Sequence, residues 1–199
     1  MFQRLSNLDE SILLWAHKYL SNPILDWIMP IITEQNNWII PTLFLIYFLG
    51  FKAGKRGRIT LVLLIITLTL TDSICAQILK PFFERLRPSH LNLDGLNLLV
   101  SKGGKWSMPS NHAANVFAFS VILSYYYEKA KLPLFSLAFI IAFSRVYVGV
   151  HYPGDVIAGS IFGYAIGWFT LTLWVILKMK ELKRGQTWVW YESEPPNMI

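Results

Sequence analysis

Two histidines, one carboxylate and three cations stand out in an otherwise apolar chain. His112 opens an apolar run, directly after Pro109, Ser110 and Asn111. His151 and Asp155 are four residues apart across Pro153 and Gly154. That spacing lets a carboxylate face an imidazole and fix its tautomer. Lys80, Arg87 and Arg145 have no matching acid nearby in sequence. Guanidinium groups are planar forks suited to phosphate oxygens. Cations at the edge of hydrocarbon are unfavourable unless an anion joins them. Ser110 and the amides after it occupy an expected helix N-terminus, which favours anions. Together these groups point to phosphoryl transfer by a nucleophile and an acid. No Asp/Glu cluster in these stretches offers an octahedral magnesium site.

The elements that must position these groups read as membrane helices. Of the 199 residues, 54% are hydrophobic and 15% charged, and the mean hydropathy is +0.42. A soluble domain carries about 25% charge. The net charge of +6 falls in short clusters between apolar runs, the pattern of membrane loops and not of a nucleic-acid surface. The single cysteine, Cys75, allows no intramolecular disulfide, and the N-terminus lacks the pattern of a cleaved signal peptide. A span needs roughly 20 residues. Residues 59–79 and 156–177 fit; 111–127 and 132–150 are slightly short but strongly apolar; 38–51 is shorter and extends back towards Glu34. The expected fold is an all-α, polytopic transmembrane helix bundle of about five spans. Residues 8–33 contain Asp9, Glu10, His17, Lys18 and Asp26 and are expected to form two amphipathic helices in the interface. The expected divisions are an interfacial segment 1–37, a membrane domain 38–177 and a cytoplasmic tail 178–199.

Five spans put the basic clusters around Lys52–Arg58, Lys129–Lys131 and Lys178–Arg184 on one side, cytoplasmic by the positive-inside rule. The three polar clusters then meet on the other side. Gly159, Gly163 and Gly167 line one face of the last span and suit close helix packing. Asp72, inside the second span, is expected to support structure through a neighbour such as Gln77 or a threonine, the alternative being a pair with an active-site cation. Arg85 is expected to snorkel or meet headgroups, and His90, Lys102 and Lys105 to lie in a solvated loop. The apolar loop 90–100 is expected to lie against the membrane beside the pocket mouth. Trp188, Trp190 and Tyr191 suit interfacial anchors.

Lys80 to Pro88, "PSNH" at 109–112, and Ser144-Arg145 with His151 and Asp155 resemble three motifs of the type 2 phosphatidic acid phosphatase superfamily. Those are Lys-x6-Arg-Pro, Pro-Ser-Gly-His and Ser-Arg-x5-His-x3-Asp, here in the same order and spacing. The resemblance runs from about 38 to 177. Asn111 departs from it, standing where the family often has glycine. The resemblance implies that His151 is the nucleophile, forming a phosphohistidine, and that Asp155 orients it. His112 would protonate the leaving oxygen and later help activate water. Lys80, Arg87, Arg145, Ser110 and the Asn111 amide would hold the phosphoryl oxygens, and the resemblance implies no metal and no cofactor. It implies an integral membrane lipid phosphatase acting in a bacterial inner or plasma membrane, with its site facing the extracytoplasmic side. Polyprenyl diphosphate, phosphatidylglycerol phosphate, phosphatidic acid and lipid A phosphates all stay open as substrates, and oligomeric state stays undetermined. Two alternatives also stand. A vanadate-dependent haloperoxidase shares the motifs, though the members of that branch are soluble. A non-catalytic lipid-phosphate binding or transport protein would need the cations but not His112, His151 and Asp155 together.

Overall fold

The computed structural model describes residues 2–189, so Trp190 and Tyr191 lie outside the described residues. The elements are α1 (Phe2–Leu20), α2 (Pro23–Thr33), α3 (Ile39–Tyr47), α4 (Gly54–Ile74), α5 (Lys80–Phe83), α6 (Asn111–Tyr126), α7 (Lys131–Tyr147) and α8 (Pro153–Lys183). No β-strand occurs among the described residues. Three helical rods are long and apolar enough to cross a membrane: Gly54–Phe83, Glu128–Tyr147 and Pro153–Lys183. The other two expected spans are shorter: α6, and α3 with the π-helical turn Phe48–Lys52 that follows it. Large apolar side chains cover much of the outside, with Ile40, Phe51, Phe82 and Leu132 each more than three-quarters exposed, as lipid contact requires.

The first rod shows how local sequence shapes the fold. α4 runs through a π-helical turn, Cys75–Leu79, into α5. Pro81 has no N–H to bond back along the helix, and a widened turn just before it relieves the clash. Glu84 then adopts a left-handed backbone (φ 45°), ending the rod. Lys80 is thereby held at the rod's last turn.

α6 is the central helix, packed against α4, α7 and α8. Its seam with α8 is the closest. A Cβ at Gly159 would collide with the Ser110 carbonyl oxygen, one at Gly163 with the Ala114 carbonyl oxygen, and one at Gly167 would sit 2.8 Å from the Val121 Cβ. The expected role of these glycines in packing is the observed one.

The two ends of the bundle differ in kind. At one end the Arg56 guanidinium lies 4.3 Å from the centre of the Tyr127 ring. There Lys55 Nζ donates to the Thr187 carbonyl at 2.6 Å. The start of α4, the end of α6 and the segment after α8 therefore meet there. The other end gathers the end of α5, the start of α6 and the turn between α7 and α8.

Two expectations are modified. α1 and α2 do carry outward apolar residues, such as Trp15 and Trp27, but their inner faces are built into the bundle. Leu13 is fully buried against the cluster of Ala113, Phe117 and Val156. Asn97 N–H donates to His17 Nδ1 at 3.1 Å, so Nε2 carries the proton and donates to the Val146 carbonyl, also at 3.1 Å. The loop 90–100 packs part of its apolar side on the bundle itself. Leu96 packs on the first of these clusters, and Leu98, Leu99 and Val100 pack with Met29, Tyr147 and Val148.

Candidate active site

The Lys-x6-Arg spacing brings two cations to one acceptor. Lys80 Nζ and Arg87 Nε both donate to the Trp106 carbonyl, at 3.1 and 3.2 Å. The intervening chain makes this possible by pairing back on itself. Leu86 and Trp106 form an antiparallel bridge, Arg87 N–H donates to the Lys105 carbonyl, and Ser89 Oγ donates to the Lys102 carbonyl. Gly103 has φ +69°, and a Cβ there would meet Arg87 Nη1 at 3.1 Å, so glycine suits the approach. His90, at 3.2 Å from the Gly103 carbonyl, closes the same loop; Lys102 and Lys105 are exposed, with Lys105 Nζ 4.5 Å from the centre of the Trp106 ring.

Arg145 ends α7 as a buried cation, 9% exposed. Its Nη1 donates to the Thr33 hydroxyl of α2, and its Nε has no partner among the described residues. The Arg145 carbonyl accepts from the backbone N–H groups of Val150 and His151. Gly149, at φ +82°, makes the sharp turn between them. This is how five residues between Arg145 and His151 bring both to one place.

His151 is 1% exposed and Asp155 fully buried. Their Nδ1 and Oδ2 atoms are 3.5 Å apart, and Nδ1 lacks a hydrogen-bond partner. The pair expected from spacing is therefore adjacent but not closed. Burial, and then the charges of Arg87, Arg145 and Lys80, hold the His151 imidazole well below the usual histidine range, with the Ser107 backbone opposing. A neutral ring with an available lone pair is the result. Burial likewise lowers the Arg87 pKa, with Asp155 opposing.

α6 enters the site through its N-terminus. Ser110 is fully buried, its Oγ accepts the Ala113 N–H, and its own N–H donates to the Asp155 carbonyl at 3.0 Å. Asn111 Nδ2 and Asn115 Nδ2 donate to Asp72 Oδ1, at 2.8 and 3.1 Å. Asp72 thus supports structure, but through two asparagines of α6 and not through Gln77 or a threonine. The asparagine at 111 ties the start of α6 to α4. His112 lies within electrostatic reach of Arg145, His151, Arg87 and Lys80. Its Nε2 is 3.3 Å from Gln35 Nε2. All eight residues expected at the site thus converge on one end of the bundle.

Sequence reasoning missed several neighbours. Arg85 is directed inward, not to headgroups. Its Nη1 donates to Asp155 Oδ1 at 2.8 Å, its Nη2 meets Asp9 Oδ2 at 2.7 Å, and its guanidinium lies 4.0 Å from the centre of the Tyr152 ring. Thr33, Gln35 and the Trp106 carbonyl were equally unmarked. Among the described residues no three His, Cys, Asp or Glu side chains converge to hold a metal ion.

Comparison with known proteins fits this geometry. The model of the PAP2 superfamily matches residues 58–178. The chain is 33% identical over 175 residues to the lipid A 4'-phosphatase of Bacteroides thetaiotaomicron, covering 84% of this chain and 77% of that protein. Among solved structures it is similar to Aquifex aeolicus LpxE, with a TM-score of 0.62, 25% identity, and coverage of 83% of this chain and 95% of that one. A PAP2-type phosphatidylglycerolphosphate phosphatase from Bacillus subtilis shares the fold, with a TM-score of 0.64, 22% identity, and coverage of 85% and 86%. Fold and relatives define an all-helical membrane phosphatase. The chain belongs to the PAP2 superfamily.

Proposed function

We propose that this membrane phosphatase removes a terminal phosphate from a lipid of the lipid A class, through a phosphohistidine on His151. The observation that carries the chemistry is the gathering of Lys80, Arg87 and Arg145 around a buried His151. In the first step the His151 Nε2 lone pair attacks phosphorus. The bond to the lipid oxygen breaks, and His112 gives that oxygen its proton. In the second step water attacks the phosphohistidine, His112 takes a proton from it, and the P–N bond breaks to release phosphate. Lys80, Arg87 and Arg145, with the Ser110 hydroxyl and the Asn111 amide, stabilise the charge on the transferring oxygens. Asp155 supports the imidazole as it becomes positive. No step uses a metal.

The lipid A class is favoured by the likeness to the Bacteroides phosphatase across most of both chains. The apolar exterior around the site is consistent with a lipid substrate. The end bearing the basic clusters is the cytoplasmic one by the positive-inside rule, so the site faces away from the cytoplasm.

Phosphate release from a panel of lipids in detergent micelles tests this reading. Lipid A should be the best substrate, ahead of polyprenyl diphosphate, phosphatidylglycerol phosphate and phosphatidic acid. EDTA should leave the rate unchanged, and His151→Ala should abolish it. A preference for another lipid would overturn the substrate class alone. Loss of activity in EDTA, restored by magnesium, would overturn the metal-free chemistry.

A further inference from the structure

Asp9 lies far from the motifs in sequence and outside the span that the superfamily model matches, yet it is bonded into the site. One of its oxygens, Oδ2, meets Arg85 Nη2 at 2.7 Å, and the other, Oδ1, accepts the Gly154 N–H at 2.7 Å. The same guanidinium donates to Asp155 Oδ1. The second Asp155 oxygen accepts the Tyr152 N–H at 2.9 Å and faces His151 Nδ1. The chain of contacts runs Asp9, Arg85, Asp155, His151. Position 154 fits this arrangement, because a Cβ there would lie 2.7 Å from Asp9 Oδ2.

We propose that Asp9 is a positioning residue of this phosphatase, acting on His151 through Arg85 and Asp155. The proposal rests on the reading of His151 as nucleophile. Asp155 is fully buried, and a buried carboxylate bound to a guanidinium gives up part of its charge to that partner. A guanidinium shared between two carboxylates, and stacked on Tyr152, draws less from each. Asp9 thereby keeps Asp155 negative enough to support a developing imidazolium. Its bond to Gly154 also fixes the first turn of α8, which carries Asp155. Without Asp9, Arg85 pairs with Asp155 alone, and the carboxylate becomes a poorer partner for His151. The phosphate-facing cations Lys80, Arg87 and Arg145 make no described contact with Asp9, so substrate affinity should not change.

The test is steady-state kinetics of Asp9→Asn, which removes the charge but keeps an oxygen for the Gly154 N–H and so spares α1 docking. kcat should fall roughly ten-fold, the scale seen when outer partners of a reactive group are lost, with KM unchanged. Gly154→Ala, which displaces Asp9 by bulk and not by charge, should give the same split. Added to Arg85→Gln, the Asp9→Asn change should cost little more, since both act through one chain. An Asp9→Asn enzyme with wild-type kcat, a loss confined to KM or thermal stability, or fully multiplicative losses with Arg85→Gln would overturn the proposal. The His151→Ala control separates the two readings. If it is inactive while Asp9→Asn is unaffected, only the role of Asp9 fails; if it retains turnover, both fail.

Discussion

The two ends of the bundle are both rich in cations, but those cations are held differently. At the end opposite the site, Lys52, Arg58, Lys131 and Arg184 are exposed, and the described hydrogen bond of Arg58 goes to its own helix, at the Gly54 carbonyl. Arg56 lies on an aromatic face and Lys55 on a backbone carbonyl. These are long side chains snorkelling to an interface, each worth little on its own. At the site end, Arg87 and Arg145 are each 9% exposed, and their described hydrogen bonds go to a carbonyl and a hydroxyl. The one ion-paired arginine there, Arg85, is matched by two carboxylates. A cation at a membrane surface is ordinary. A buried cation without a carboxylate contact is an anion site, and the difference lies in burial and partners, not in residue type.

If that contrast holds, replacement at the two ends should have very different effects. Arg145→Lys keeps the charge but loses the planar fork. Turnover should fall roughly 10²-fold, equivalent to about 3 kcal/mol of lost stabilisation in the transition state, as measured by phosphate release. A rate within a few-fold of wild type would mean that only the charge at 145 matters.

Gly163→Ala tests the scaffold between the ends. The added methyl meets the Ala114 backbone, which cannot swing away as a side chain would. Overpacking of this kind costs about 1–3 kcal/mol. The enzyme in detergent should lose activity at a lower temperature than wild type, while molecules still folded turn over normally.

The buried histidine adds a pH effect. Its folded pKa is depressed, so the unfolded chain accepts a proton that the folded chain refuses. Stability from this group is complete above the ordinary histidine range and declines as pH falls through it. The unfolding temperature, followed by tryptophan fluorescence, should therefore drop on acidification, and His151→Gln should show a smaller drop. An equal drop would assign the effect to other groups.

The smallest effect is expected at the far end. Arg58→Gln removes an exposed charge, and phosphate release should stay within a factor of about two of wild type. A large loss there would erase the distinction between the ends.

The motif residues were legible because phosphoryl transfer constrains residue type and spacing together. Lys80, Arg87, Ser110, Asn111, His112, Arg145, His151 and Asp155 could all be marked from the chain alone, and counting spans brought them to one end. The contacts that complete the site were not legible. Asp9 meets Gly154, and Thr33 meets Arg145, across distances that carry no periodic signal. Arg85 sits between two motif cations, and nothing in its spacing tells an inward guanidinium from a snorkelling one. The packing of loop 90–100 was hidden for a related reason. Apolar composition says that Leu98 and Leu99 avoid water, but not whether lipid or the face of Met29 and Tyr147 receives them. α1 and α2 are amphipathic in sequence, and which medium meets each face is set only by packing.

Trapping of the phosphoenzyme tests the central claim most directly. Brief reaction with substrate labelled in the terminal phosphate, followed by denaturing quench, should leave label on the wild-type chain that is lost in acid and stable in base. Peptide mapping should put it on His151, and His151→Ala should carry none. Label that persists in the His151→Ala protein, or that maps to another residue, would contradict the account.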